Sequence, residues 1–209
     1  MSNQKTREPI QDRSKARVDT ILNATKALIV EKGSANIKIQ EIAQRAGVTA
    51  GSMYQYFPNK QAIMHALMEQ YVQILNEMID QSVPQVDSIK TLSQFMNHLY
   101  DQFYELYRRE PVLRDIVAHS IVDKSLQNHD IEISRFHASL VFEAAKHLFP
   151  ETQRAALQRY LFLMMSLAGP VASFFASFEG EEGLAMLETG RFLISEDVFH
   201  RFTRPDESP

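Results

Sequence analysis

Hydrogen-bonding side chains crowd one short stretch of the chain, from Lys38 to Lys60: Gln40, Thr49, Ser52, Tyr54, Gln55 and Tyr56, interrupted by Gly47, Gly51 and Pro58. No nucleophile in this stretch is paired with a base, and no two carboxylates share it. Tips of this kind suit phosphate oxygens and base edges rather than bond making. Gln55 carries the amide fork that fits an adenine edge, and Ala50 is small enough to meet a thymine methyl. Ala50 and Gly51 together allow backbone to come close to a ligand, at a helix N-terminus whose free N–H groups favour phosphate.

The elements that must hold these residues are two short helices and a corner. Ile39, Ile42, Ala43 and Ala46 give the first, roughly Ile39 to Ala46, a buried face, and Ala43 lets a second helix cross closely. Gly47 supplies the left-handed residue that ends it. Val48 plugs the corner, and Thr49 is an N-cap whose hydroxyl accepts from the Ser52 N–H. Met53 and Phe57 then lie one turn apart on the inward face of a helix from Ala50 to Tyr56. Ala50, Gly51, Ser52, Tyr54, Gln55 and Tyr56 remain outside. Phe57 precedes Pro58 and so leaves the helical region, and Asn59 caps the next helix, which starts at Lys60. An ordinary helical corner is the plainer alternative, but outward face, corner and cap all agree on a reader of DNA.

Charge supports that reading locally. The net charge is −4, yet residues 1–60 hold ten basic and five acidic residues, and the remainder twelve against twenty-one. A basic head on an acidic body is expected where only the head meets phosphate.

The rest of the chain reads as helix throughout, so the predicted fold class is all-α with about nine helices. Helix 1 spans Arg13 to Lys32, with Gly33 as its C-terminal cap. Lys60 to about Asp80 forms a connecting helix, with a break at Pro84. Further helices are expected over Ile89–Arg109, Pro111–Gln127, Asp130–Phe149, Glu151–Phe178 and Glu182–Phe202. The predicted organisation is a mobile arm (1–12), a helix-turn-helix domain (13–60), a connecting helix (61–80), a helical effector-binding and dimerisation domain (81–202) and a mobile tail (203–209). Tyr160 to Phe178 contains no charge and approaches membrane-spanning length, but its serines and the Gly169-Pro170 pair favour a helix buried by core and partner, kinked at Pro170. No membrane partner is expected.

Enzymatic function is the rival class. The seven histidines show no metal-ligand spacing, and neither a Gly-rich phosphate loop nor a Ser-His-Asp pattern is present. With no cysteine, disulfides, thiolate zinc sites and cysteine nucleophiles are excluded, which suits a reducing cytoplasm. No apolar segment in the first twenty residues directs export. No catalytic residue, metal or cofactor is therefore expected. A helical interaction module without DNA binding is a third class, against which the intact outward face speaks.

The segment Glu41-Ile-Ala-Gln-Arg-Ala-Gly-Val-Thr-Ala-Gly-Ser-Met-Tyr-Gln-Tyr-Phe-Pro-Asn-Lys60 resembles the signature of the tetracycline-repressor (TetR) family of bacterial regulators. The resemblance covers about residues 13–65. It implies that Tyr54, Tyr56 and Lys60 hold phosphates, that Thr49 to Gln55 enter the major groove, and that Lys38 and Gln40 touch the flanking backbone. Many members carry a basic residue where this chain has Ala50, which removes a phosphate contact or moves it to Arg13, Lys15 or Arg17. The family pattern further implies a ligand-sensing pocket in the C-terminal helices, pairing of the last two long helices between subunits, and a homodimer on double-stranded, roughly palindromic operator DNA, commonly as a repressor.

Two residue sets are candidates for those roles. Phe95, Met96, Leu99, Tyr100, Phe103, Ile116, Val117, Phe136 and Val141, with His119 and His137 as polar points, are expected to line an apolar pocket for an unidentified small-molecule effector. Phe162, Met165, Ala168, Ala172 and Phe175, with Leu184, Leu187 and Phe192, offer more apolar surface than one small domain needs and are expected at the dimer interface.

Overall fold

The computed structural model describes residues 8–80, 86–121, 123–178 and 180–203, with side chains from Arg13 onward. Every regular element among them is helical, so the expected all-α class is observed. The expected arm (1–12) and tail (203–209) fall mostly outside these residues, as does the break at Pro84. The chain forms two compact units, residues 1–70 and 71–209.

The first unit holds α1 (Glu8–Lys32), α2 (Ile39–Arg45), α3 (Ala50–Tyr56) and the first half of α4 (Lys60–Asp80). α1 begins five residues before the expected Arg13. Its apolar residues recur at three- and four-residue spacing, and Ile21, Leu22, Leu28 and Ile29 are buried with Ile42, Met53, Phe57, Ile63 and Leu67. Gly33 ends α1 at φ 77°, its N–H donating to the Ile29 carbonyl at 2.8 Å. Arg45 clamps Glu31 with two hydrogen bonds of 2.9 and 2.6 Å, and Lys32 meets Glu41 at 2.7 Å. These exposed pairs set the register of α2 on α1 more than they stabilise it.

The second unit holds the rest of α4, then α5 (Ile89–Arg109), α6 (Pro111–Ser120), α7 (Lys124–Ala145), α8 (Glu151–Phe175), α9 (Gly180–Gly190) and α10 (Glu196–His200). α5 starts where Ser88 and Thr91 cap each other, at 3.2 and 2.9 Å. It buries Leu92, Phe95, Met96, Leu99, Phe103 and Tyr107. α7 and α8, joined by the short link from Lys146 to Pro150, lie along one another. α8 runs through Pro170, whose missing N–H leaves the Ser166 carbonyl without its usual helical donor.

Two breaks between helices fall elsewhere than expected, and α8 ends at Phe175 rather than Phe178. The sequence spacing places a break after Gln127, but α6 ends at Ser120 and α7 starts at Lys124. Asp123 causes this, its carboxylate accepting from the N–H groups of Ser125 (2.9 Å) and Leu126 (3.2 Å). The expected helix Glu182–Phe202 is split into α9 and α10 by a 3₁₀ turn at Arg191–Ile194. Ties to α5 hold that turn: Arg191 grips Asp101 at 2.8 and 2.9 Å, and Ser93 donates to the Ile194 carbonyl at 3.1 Å.

α5 also places three tyrosines against three glycines. A Cβ at Gly169 would lie 2.6 Å from the Tyr107 hydroxyl, one at Gly183 would lie 3.0 Å from that of Tyr104, and one at Gly190 would overlap that of Tyr100. Gly169→Ala is therefore expected to destabilise the fold by about 1–3 kcal/mol through overpacking. Adding Tyr107→Phe, which deletes the offending oxygen, should recover most of that loss in urea denaturation; no recovery would show that the cost lies elsewhere.

Candidate functional site

The corner between α2 and α3 has the geometry its residues call for. Gly47 stands at φ 63°, and the Val48 N–H donates to the Ala43 carbonyl at 3.0 Å. The Thr49 hydroxyl accepts from the Ser52 N–H at 3.2 Å. α3 ends at Phe57, whose φ of −135° and ψ of 109° are extended, as the following proline requires. The Asn59 carboxamide oxygen then accepts from the Ala62 N–H at 2.8 Å, opening α4.

This frame divides α3 into two faces. Met53 and the following Phe57 are buried. Thr49, Ala50, Gly51, Tyr54 and Gln55 are exposed, and Ser52 and Tyr56 half-buried, so seven candidate contact residues lie along the outward side. Lys38 and Gln40 are exposed at the start of α2, where the Glu41 carboxylate accepts from the Lys38 N–H at 2.9 Å. That bond and the Lys32 ammonium hold the Glu41 carboxyl below its ordinary range, Lys32 contributing most. Lys60 has a structural duty: its ammonium donates to the Ser34 carbonyl at 2.9 Å and approaches that of Ala35 at 3.5 Å. It thereby holds the turn between α1 and α2, with one of its three donors still unassigned.

The candidate effector residues separate. Met96, Leu99, Tyr100 and Phe103 on α5 line an almost wholly apolar cavity of about 50 Å³. Met164, Met165, Leu167, Ala168 and Val171 of α8 form the facing wall, and Gly190, Leu193 and Ile194 close one end. Met165 and Ala168, assigned by sequence to the dimer face, thus line this cavity. Its polar atom is the Tyr100 hydroxyl, buried without a hydrogen-bond partner. Burial, and secondarily Asp101, pushes this phenol up to about 12, so it stays a neutral donor. Phe95, Ile116, Val117 and Val141 are core residues away from the lining, His119 is half-buried, and Phe136 is exposed. His137 is buried, its Nε2 at 2.7 Å from the Asn76 Oδ1 of α4.

The candidate dimer residues separate in the same way. Ala172 and Leu187 are buried within the chain, and Phe162 and Phe175 are half-buried. Leu184 and Phe192 are exposed, the latter by 74%. Sequence reasoning did not single out Leu163 or Phe174, which with Leu167 form an exposed apolar stripe along α8. Their i, i+4 spacing was visible, but the buried side of α8 was not known. No helix among the described residues is long and apolar enough to cross a membrane.

Among the described residues, a short, capped, uncharged helix behind a glycine corner, set in an all-helical frame, is a helix-turn-helix. Residues 21–67 match the model of the bacterial regulatory proteins of the tetR family, and residues 90–202 match the tetracyclin repressor-like C-terminal domain. The chain belongs to the TetR family of transcriptional regulators, which are not enzymes. It is similar to the TetC protein of transposon Tn10 from Escherichia coli, 28% identical over 91 residues, covering 44% of this chain and 46% of that one. The chain spans about half the length of the curated relatives it matches. A TetR-family regulator from Streptomyces coelicolor has the same fold, with a TM-score of 0.65 at 19% identity over 91% of this chain and 99% of that one. So does FadR of Thermus thermophilus, solved with lauroyl-CoA, at TM-score 0.56 and 21% identity over 92% and 98%.

Proposed function

We propose that the protein is a cytoplasmic repressor that binds a roughly palindromic operator as a homodimer and leaves it when a small apolar effector enters the C-terminal unit. The observation that carries the DNA reading is the outward face of α3, on which Thr49, Ala50, Gly51, Tyr54 and Gln55 are exposed together without a charge. Tyr54, Tyr56 and the Thr49-capped helix end contact phosphates, and Gln55, Ser52 and Ala50 choose sequence, aided by DNA shape. Lys38 and Gln40 flank them, and Lys60 adds its remaining donor. The effector site is the α5–α8 cavity, whose methionines can yield to admit a molecule larger than the present space. The Tyr100 hydroxyl is its single polar anchor.

Selection of bound fragments from the protein's own genome tests the proposal, since a regulator must enrich a few defined sites; uniform recovery would sink it. On a selected fragment, Gly51→Ala gives a sharper measurement. A Cβ there meets nothing within 4 Å, and alanine is the better helix former by about 0.8–1 kcal/mol. The variant is expected to be at least as stable as the parent yet to bind about tenfold more weakly, because the added methyl faces the DNA. Equal affinity would remove α3 from close backbone approach.

A further inference from the structure

We propose that the α7–α8 face carries a second ligand site, an oxyanion pocket for a phosphate monoester, separate from the apolar cavity and from the DNA reader. Arg135, Ala138 and Ser139 of α7 and Gln158, Arg159 and Phe162 of α8 line a cleft of about 230 Å³ that opens to solvent, with Arg135, Gln158 and Arg159 exposed at its mouth. Two guanidiniums, a carboxamide and a hydroxyl thus share one space, and no carboxylate lines it.

The other arginines of this unit show why that matters. Arg108 and Arg109 pair with Glu105, and Arg191 pairs with Asp101. Arg114 and Arg154 donate to the backbone carbonyls of Ala176 and Lys146. Arg135, Arg159 and the exposed Arg201 have no such partner among the described residues, although acidic residues outnumber basic ones twenty-one to twelve beyond residue 60, and of these three Arg135 and Arg159 line one shared space. Two like charges around one cavity repel each other, and an anion between them removes that repulsion as well as gaining its own attraction.

The donors also specify the anion. The Arg135 guanidinium carbon stands 4.7 Å from the centroid of the Phe162 ring. This cation-π contact holds the guanidinium beside the ring without using its N–H donors. Paired forks match a tetrahedral dianion better than a single carboxylate, and a phosphate monoester carries a charge of about −1.5 to −2 at neutral pH. The Ser139 hydroxyl already donates to the Phe136 carbonyl at 2.7 Å, so it offers a ligand only lone pairs. A ligand that brings a hydroxyl of its own therefore suits it. The volume equals roughly eight waters at about 30 Å³ each, which accommodates a phosphate and a short alcohol.

Calorimetric titration of the full-length protein at low ionic strength tests this, with glycerol 3-phosphate, inorganic phosphate and succinate as probes. Saturable binding of glycerol 3-phosphate is expected, at one site per chain, with succinate at least tenfold weaker. Arg159→Gln and Arg135→Gln should each weaken it at least tenfold, while Arg109→Gln, the same charge loss outside the pocket, leaves it unchanged. Tighter binding of inorganic phosphate than of its ester would assign the site to the free ion and overturn the ester reading. Absence of saturable binding, equal weakening by Arg109→Gln, or succinate binding as tightly would each overturn the proposal. So would arginine variants that retain phosphate affinity but shift the oligomeric state. Operator binding without phosphate should be unaltered in Arg159→Gln, so failure here is distinguishable from failure of the DNA reading.

Discussion

Arginine at both Leu163 and Leu167 is expected to leave the protein monomeric and to weaken its hold on a selected operator a hundredfold or more. Both leucines are exposed, by 51% and 41%, and lie one turn apart on α8 in line with Phe174. Leu184, Phe192 and Leu193 are exposed as well, and exposed apolar side chains of this kind, where they are contiguous, mark an interface. Two guanidiniums in a self-complementary two-fold interface become four, facing apolar surface without partners, and each such burial is costly. The fold should survive, because the side chains that anchor α8, Leu157, Leu161 and Ala172, point the other way and are buried. The operator loses because two linked readers bind far more tightly than one, typically by about 10²–10⁴. Sedimentation checks the first effect and gel-shift titration the second. A parent protein that is monomeric at micromolar concentration, or a double variant that stays dimeric, would refute this face as the interface.

The second large effect is on stability below neutral pH. His137 is buried, and desolvation pushes its imidazole down to about 4 from an ordinary 6.5. Between those values the unfolded chain binds a proton that the folded one refuses, so stability rises with pH across this window. Its contribution is fully present above about 6.5 and is lost progressively down to about 4, at most about 3 kcal/mol at 1.36 kcal/mol per pH unit. Asp130 opposes it. Burial raises that carboxyl, so its folded form takes up protons first and gains stability as the pH falls. His137→Gln, which can still hydrogen-bond Asn76 but does not titrate, isolates the histidine. Urea denaturation at pH 7 and 4.5 should show the parent losing about 2–3 kcal/mol more than this variant. An identical pH dependence would mean that the imidazole takes up its proton as readily in the folded state.

The helix-turn-helix corner was legible because its determinants are neighbours in sequence. Gly47, Thr49, Pro58 and Asn59 each act within three or four residues of themselves, and their hydrogen bonds follow from side-chain type. The all-helical class was legible for the same reason, since apolar spacing is a local signal. What escaped depends on partners distant in the chain. Gly190 and Arg191 break a helix that spacing alone would continue, because Asp101 and Tyr100 on α5 claim them. That Met165 and Ala168 line a cavity with α5 is likewise a fact of long-range packing that spacing does not carry. Asp123 was the exception, a capping signal that local reading should have weighed above the apolar pattern running through it. The duty of Lys60 was likewise hidden, because its acceptors at Ser34 and Ala35 lie a whole helix-turn-helix earlier.

The fit of three tyrosines of α5 to three glycines has an evolutionary consequence. A side chain gained at position 169 or 190 must displace a phenol, one gained at 183 must also clear the Phe178 carbonyl 2.9 Å away, and a phenol lost from 107, 104 or 100 leaves a hole beside the glycine it faces. Neither member of such a pair can drift alone. The C-terminal unit is freer to vary over its surface, but the seam between α5 and the chain from Gly169 to Gly190, which includes the Tyr100–Gly190 end of the cavity, changes two residues at a time.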